Sequence, residues 1–120
     1  MNFDKKNFKV LVIDDETDLL ESVAEQIEMF GYTVLKASNV ENGIEYIPYC
    51  DGILADVNMP GKERLTHFLN SSVTKVPVIR FSAENQRGLV NFMLAKPFTP
   101  QKLYEALDQL RLFSNMKKAA

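Results

Sequence analysis

The sequence predicts an α/β domain in which a parallel β-sheet is covered by helices on both faces. Short segments rich in apolar and β-branched residues alternate along the chain with segments of helical periodicity. The apolar segments are nearly continuous, as in strands that are buried on both faces. Charged residues stand just beyond the ends of several of these segments. With 120 residues, the chain has the size of one domain.

Five segments have the length and composition of buried strands. Pro77, the second residue of the fourth segment, suits the start of a strand, because proline has no N–H for the hydrogen-bond ladder. The predicted strands are Phe8–Ile13, Tyr32–Ala37, Gly52–Val57, Val76–Phe81 and Phe92–Ala95.

Helical segments follow the first, second, third and fifth strands. The first carries Leu19, Leu20, Val23, Ile27 and Phe30 at helical spacing, and a glycine at position 31 is placed to end it. A second, weaker helix is predicted over Val40–Tyr46, and a third from about Glu63 to Ser71.

The last helix is predicted to begin at Thr99-Pro100, with threonine as the N-cap and proline at the first helical position. Its inner face would carry Leu103, Leu107 and Leu110. We expect one domain over residues 1–120, with residues 1–6 and 115–120 as frayed ends.

Composition argues against several classes of partner. The chain is 46% hydrophobic and 25% charged, with a formal net charge of −2, so no strong attraction to nucleic acid or to an anionic membrane is expected. No apolar run approaches the roughly 20 residues of a membrane span, and the first residues lack the apolar stretch of a secretory signal. Cys50 is the only cysteine, which excludes an internal disulfide and fits a reducing compartment. We predict a cytoplasmic protein.

Acidic residues close two of the predicted strands, and a lysine follows a third. Ligands of parallel sheets bind at the carboxyl ends of the strands, so these side chains are expected to meet at one edge. Three carboxylates repel each other there unless a cation binds, and oxygen ligands suit Mg²⁺. The sequence therefore predicts a divalent-metal site and phosphoryl chemistry. The residues at these strand ends are Asp14, Asp15, Asp56, Ser82 and Lys96.

The acid pair has a second interpretation. A carboxylate at the turn before Thr17 is a common N-cap of the helix that follows, and Asp15 or Asp18 could serve in that way. The two roles can coexist.

Four pieces of the chain resemble the receiver domain of bacterial two-component response regulators. They are Val10–Asp15, Asp56–Gly61, Ser82-Ala83 and Lys96–Phe98, in that order and at similar spacing. The resemblance covers nearly the whole chain. It implies a flavodoxin-like, doubly wound fold with five parallel strands in the order 2-1-3-4-5.

The resemblance also implies the chemistry of the site. Asp56 would be the nucleophile that takes a phosphoryl group from a phosphohistidine. Mg²⁺ would be bound by Asp15 and Asp56 directly, by Asp14 mostly through water, and by the backbone carbonyl of Asn58.

Two further residues would complete that site by resemblance. Ser82 would donate a hydrogen bond to the phosphoryl group, and Lys96, before a cis Pro97, would contact its oxygens. The phosphodonor would be a sensor histidine kinase or a phosphotransfer protein, and the output a downstream protein target. The domain would be a signalling switch that phosphorylates and dephosphorylates itself, not an enzyme acting on other substrates.

The connection between the fourth and fifth strands departs from the family pattern. Residues 82–91 provide only ten positions, whereas a parallel crossover normally takes about a dozen or more. We therefore predict that the fourth helix of the family, which lies in this crossover, is shortened or absent. The output surface would be altered, and apolar area left uncovered would favour self-association.

The switch position is also unusual. The family often carries an aromatic residue three positions before the lysine, where this chain has Met93, and Phe92 stands one residue earlier. A shift of one residue points a strand side chain to the opposite face. The switch positions would be Ser82 and Met93. Whether Ser82 is coupled to a rotating aromatic ring, as is usual in the family, is therefore left open.

Two other functions are alternatives to the phosphorylated switch. A receiver-like protein-interaction module that works without phosphorylation is favoured by the short crossover and by Met93, but opposed by the intact acids, Ser82 and Lys96. A hydrolase with an aspartate nucleophile would carry a second acid two residues after Asp56, where this chain has asparagine. Cys50 is interpreted as a loop thiol, and His67, without a second ligand at metal spacing, as a surface residue.

Overall fold

Five parallel strands form a single sheet. The computed structural model describes residues 3–56, 59–69, 76–82, 92–95 and 99–119. The strands are β1 (Lys9–Ile13), β2 (Thr33–Ala37), β3 (Gly52–Asp56), β4 (Val78–Ser82) and β5 (Phe92–Ala95). Their order is β2-β1-β3-β4-β5, with every neighbouring pair parallel, which confirms the predicted topology.

Strand boundaries differ from the prediction by one or two residues. Phe8 and Tyr32 precede β1 and β2, and they are buried with their rings in edge contact, 6.0 Å between centroids. β4 begins after Pro77, which cannot donate to the ladder, although its carbonyl accepts from the Ile53 N–H at 3.0 Å. Val57, predicted as the end of the third strand, lies outside the described residues.

The helices lie between the strands and at both ends of the chain. They are α1 (Phe3–Lys6), α2 (Thr17–Met29), α3 (Val40–Tyr46), α4 (Lys62–Leu69) and α5 (Pro100–Ala119). A 3₁₀ turn over Ile47–Tyr49 follows α3 and contains Pro48, which fits the predicted end of that helix. α4 begins one residue before its predicted start, and the predicted continuation over residues 70–71 falls outside the described residues.

Three local sequence signals set helix ends. Gly31 has φ +104° after α2, a conformation that favours glycine, and its N–H donates to the Glu28 carbonyl at 2.9 Å. The Asn39 side chain caps α3 by accepting from the Asn42 N–H at 2.8 Å. Thr99 caps α5 in the same way. The Thr99 hydroxyl accepts a hydrogen bond from the N–H of residue 102 at 3.1 Å. The structure thus confirms the predicted roles of Gly31 and Thr99.

Two apolar layers hold the sheet in place, one on each face. α2 and α5 cover one face, and α3 and α4 contribute to the layer on the other. The first layer consists of Phe8, Val10, Val12, Leu20, Val23, Ile27, Tyr32, Leu54, Ile79, Leu103, Leu107 and Leu110. The second consists of Leu11, Ile13, Ala37, Val40, Ile47, Cys50, Ile53, Ala55, Met59, Leu65 and Val78.

Both predicted frayed ends are helical where the structure describes them. Residues 3–6 form α1, and the Lys5 ammonium donates to the Tyr104 hydroxyl at 2.9 Å, while the Thr33 hydroxyl donates to the Lys6 carbonyl at 2.8 Å. These contacts tie the segment to β2 and α5. α5 continues to Ala119 because residues 115–119 include no helix breaker and are rich in good helix formers.

The crossover from β4 to β5 spans residues 83–91, which lie outside the described residues. The shortened or absent fourth helix of the family therefore stays a prediction. Within the ranges that the structure describes, no helix is long and apolar enough to cross a membrane.

Gly52 lies where α5 approaches β3 closely. A Cβ at this position would lie 2.6 Å from Leu110 Cδ2 and 3.0 Å from the Phe8 ring. We expect Gly52→Ala to lower the free energy of unfolding by about 1–3 kcal/mol through overpacking. Leu110→Ala alone should cost about 2–5 kcal/mol. In urea unfolding, the double variant should lose less than the sum of the two, because the new methyl occupies space that Leu110 vacates; strict additivity would contradict the contact.

Candidate functional site

The carboxyl ends of β1 and β3 bring three acids together. β1 and β3 are neighbours with Ile13 opposite Ala55, so Asp14 and Asp56 come next to each other at the same edge. One carboxylate oxygen from each of Asp14, Asp15 and Asp56 lies within 4.8 Å of the others. Asp14 is 0% and Asp56 3% exposed, whereas Asp15 is exposed. The site is therefore a buried pair of carboxylates with a third at its mouth.

Asp14 is held by the end of β2 and by the turn that precedes α2. Its N–H donates to the Ala37 carbonyl at 3.0 Å, which extends the pairing of β1 with β2. Its Oδ1 accepts from the Glu16 N–H at 2.9 Å. Glu16, the N-cap residue of α2, forms no side-chain cap bond. Asp14 thus organises this turn, in place of the capping role considered for Asp15 or Asp18.

The segment after Asp56 is packed onto α3. Met59 is 3% exposed and belongs to the second apolar layer. Gly61 has φ +82°, and a Cβ there would lie 3.2 Å from Val40 Cγ2, so only glycine fits without strain. This packing fixes the path by which residues 59–61 enter α4.

The other predicted site residues are placed only in part. Ser82 is the last residue of β4 and pairs in register with Ala95, the residue before Lys96. Met93 lies in β5 opposite Arg80. Asn58 and Lys96 lie outside the described residues, so the roles predicted for them rest on the sequence.

The three acids form a donor set that fits Mg²⁺. This ion takes hard oxygen ligands and retains several waters. Two carboxylates that are almost fully buried within a few ångströms of each other repel strongly, and a divalent cation would remove that repulsion. The exposed Asp15 keeps the site open to the water that would complete the shell.

Arg80 is a buried charged residue that the sequence reasoning passed over. It lies inside β4, is only 8% exposed, and its Nη2 donates to the Thr66 hydroxyl of α4 at 3.4 Å. Burial lowers the pKa of its guanidinium. The available signal was one charged residue within the apolar run Val78–Phe81.

Among the described residues, Cys50 and His67 are reactive side chains that are not part of the acid cluster. Cys50 is buried, its Sγ donates to the Ile47 carbonyl at 3.2 Å, and burial raises the pKa of the thiol to about 12. Such a thiol is a poor nucleophile at neutral pH. His67 is exposed on α4, as predicted for a surface residue.

Comparison with known proteins identifies the family. The family model of the response regulator receiver domain matches residues 10–108. The chain therefore belongs to the receiver domain family of response regulators, whose members accept a phosphoryl group in two-component signal transduction. It is a signalling domain, and members of this family generally use Mg²⁺.

Individual relatives agree in sequence and structure. The chemotaxis protein CheY-3 of Vibrio cholerae is 26% identical, with 88% of this chain and 92% of the relative covered. The phosphate regulon transcriptional regulatory protein PhoB of Escherichia coli is 28% identical over 79% of this chain, which spans about half (48%) of PhoB. The solved structure of Vibrio cholerae CheY4 has a TM-score of 0.74 and 26% identity, covering 86% of this chain and 98% of CheY4.

Carboxylate repulsion at the site can be measured without metal. In EDTA at low salt, Asp15→Asn should raise the free energy of unfolding by about 0.5–1 kcal/mol, because it removes one charge from a group of three. Asp18→Asn is the matched control, since it removes a favourable charge from the first turn of α2 and should destabilise slightly. Equal effects of the two changes in urea unfolding would contradict the proposed repulsion.

Proposed function

We propose that Asp56 is the residue that accepts the phosphoryl group in this receiver domain. The observation that supports this assignment is the gathering of Asp14 and Asp15 around the buried Asp56 carboxylate at the carboxyl edge of the sheet. The phosphodonor is a phosphohistidine of a sensor histidine kinase or a phosphotransfer protein. The output is a protein–protein interaction with a downstream target.

The reaction is a transfer between two nucleophiles. A carboxylate oxygen of Asp56 attacks the phosphorus, an O–P bond forms, and the P–N bond to the donor imidazole breaks. The imidazole nitrogen leaves with the electron pair of that bond and takes up a proton. The product is an aspartyl phosphate, which water returns to carboxylate and inorganic phosphate.

The protein contributes positioning and charge balance more than covalent chemistry. Asp14, Asp15, Asp56 and the Asn58 carbonyl would hold Mg²⁺, which when bound neutralises charge on the transferring oxygens. Asp14 is preorganised for this task, because its other oxygen is already fixed by the Glu16 N–H.

Two residues would receive the new phosphoryl oxygens. Ser82, at the end of β4, would donate its hydroxyl, and Lys96, just after β5, would add an ammonium. The sheet register supports these roles, because residue 82 pairs with residue 95, which precedes Lys96 in the sequence.

The cellular setting follows from the same chemistry. We infer a cytoplasmic domain, where sensor kinases present their phosphohistidines, with no direct binding to nucleic acid, since the net charge is −2.

Phosphorylation is tested by intact mass. With Mg²⁺ and a small-molecule phosphodonor, the wild type should gain the mass of one phosphoryl group, and Asp56→Asn should gain none. Asp18→Asn, an acid-to-amide change on the neighbouring helix α2, should be labelled like the wild type. Absence of an adduct on the wild type, under conditions that label other receivers, would instead favour an interaction module that works without phosphorylation.

Metal binding has its own readout in stability. Mg²⁺ at roughly ten times its dissociation constant should raise the free energy of unfolding by about 1.4 kcal/mol. Asp15→Asn should lose most of this gain, and Asp18→Asn should keep it. A melting temperature that does not respond to millimolar Mg²⁺ in the wild type would argue against the site.

A further inference from the structure

Arg80 lies one register position away from Asp56 on the neighbouring strand. It lies in β4 between Ala55 of β3 and Met93 of β5 in register. The next residue along β4 is opposite Asp56, and the one after that is Ser82. Strand side chains alternate, so position 80 belongs to the same face of the sheet as its register partner Ala55, the face that α4 covers.

The burial of this guanidinium is costly. Arg80 is 8% exposed, and loss of water lowers its pKa. Its hydrogen bond to a described residue is the one to Thr66, and at 3.4 Å that bond is long. An apolar side chain of similar volume commonly matches or exceeds the stability of a buried charged one. Stability of the fold therefore does not account for an arginine here.

The contact between Arg80 and Thr66 joins two elements that leave the site. β4 ends at Ser82, and α4 begins at Lys62, shortly after Asp56. Thr66 lies in the middle of α4, beside the exposed His67. A change at the carboxyl edge of the sheet can therefore reach α4 both through the chain after Asp56 and through this side-chain contact.

We propose that Arg80 is a positioning residue that couples phosphorylation of Asp56 to the placement of α4, so that the surface around Thr66 and His67 reports the phosphorylated state. This inference rests on the proposed function, because it requires an adduct at Asp56.

The physical basis is charge and geometry. A phosphoryl group on Asp56 adds negative charge one register position beyond Arg80, whose guanidinium is poorly solvated, and electrostatic interactions act over longer distances in such surroundings. Arginine has five N–H donors in a rigid fork, so a small shift of β4 exchanges one acceptor for another. The long bond to Thr66 is easily given up, and its loss frees α4 to move as a unit. Met93, at the position where the family often has its aromatic switch, pairs in register with Arg80.

The single histidine provides the probe. His67 is the only histidine of the chain and lies next to Thr66, so selective ¹³C labelling gives one imidazole signal from α4. The signal is recorded before and after addition of Mg²⁺ and beryllofluoride, a phosphoryl mimic, while ¹⁹F NMR follows formation of the adduct. The wild type should form the adduct and show a shift of the His67 signal.

Three variants separate coupling from folding. Arg80→Met should still form the adduct but lose most of the His67 shift, with a melting temperature equal to or above the wild type. Thr66→Val should lose the shift in the same way without changing the buried charge, which keeps the test valid if Arg80→Met does not fold. Arg64→Met removes an exposed guanidinium from the same helix, one paired with Glu41 at 2.9 Å, and should retain the shift.

The possible outcomes separate the coupling role of Arg80 from the phosphorylation of Asp56. An adduct with a shift that survives in Arg80→Met or Thr66→Val overturns the coupling role and leaves the phosphorylation of Asp56 intact. An adduct on the wild type without any His67 shift does the same. Failure of the wild type to form an adduct overturns the proposed function and the coupling together. Loss of the shift in Arg80→Met and Thr66→Val, with retention in Arg64→Met, supports the coupling.

Discussion

Mutual repulsion among carboxylates at one edge of the sheet is the constraint around which this molecule is organised. Asp14 and Asp56 are almost fully buried, and each offers an oxygen within 4.8 Å of the other and of Asp15. Like charges at such distances oppose folding unless a cation is bound. The parallel register of β1 and β3 nevertheless places the pair side by side, at a position where a bound metal ion would reduce their repulsion.

The scaffold that enforces this proximity is a sheet buried on both faces. Leucine, isoleucine and valine side chains from successive strand positions fill two separate layers, one under α2 and α5 and one under α3 and α4. With both faces packed, a strand cannot slip by one residue without moving its side chains to the wrong layer. The positions of the acids are therefore as rigid as the core, and the site needs little reorganisation when a phosphoryl group arrives.

Signal transmission is where this chain departs from its family. The sequence predicts a short crossover between β4 and β5 and places Met93 where receivers often carry an aromatic residue, so the usual output route is expected to be altered. A buried Arg80 in contact with α4 offers a different route. In place of a rotating aromatic ring, a charged side chain would respond to the phosphoryl group. Such a route would place the output surface beside the site on α4.

Periodicity, turn residues and strand-end acids determined much of this protein from the sequence alone. The parallel sheet, the glycine at position 31, the cap at Thr99 and the acids at the strand ends could all be predicted, because each depends on local chemistry or on a rule of parallel sheets. The order of the strands was predicted through the resemblance to receiver domains. Only the tertiary structure decided the burial of Arg80, the anchoring of α1 through Lys5, and the use of Asp14 to hold the turn before α2. These features depend on which side chains meet across elements distant in the chain, and no local pattern encodes such meetings.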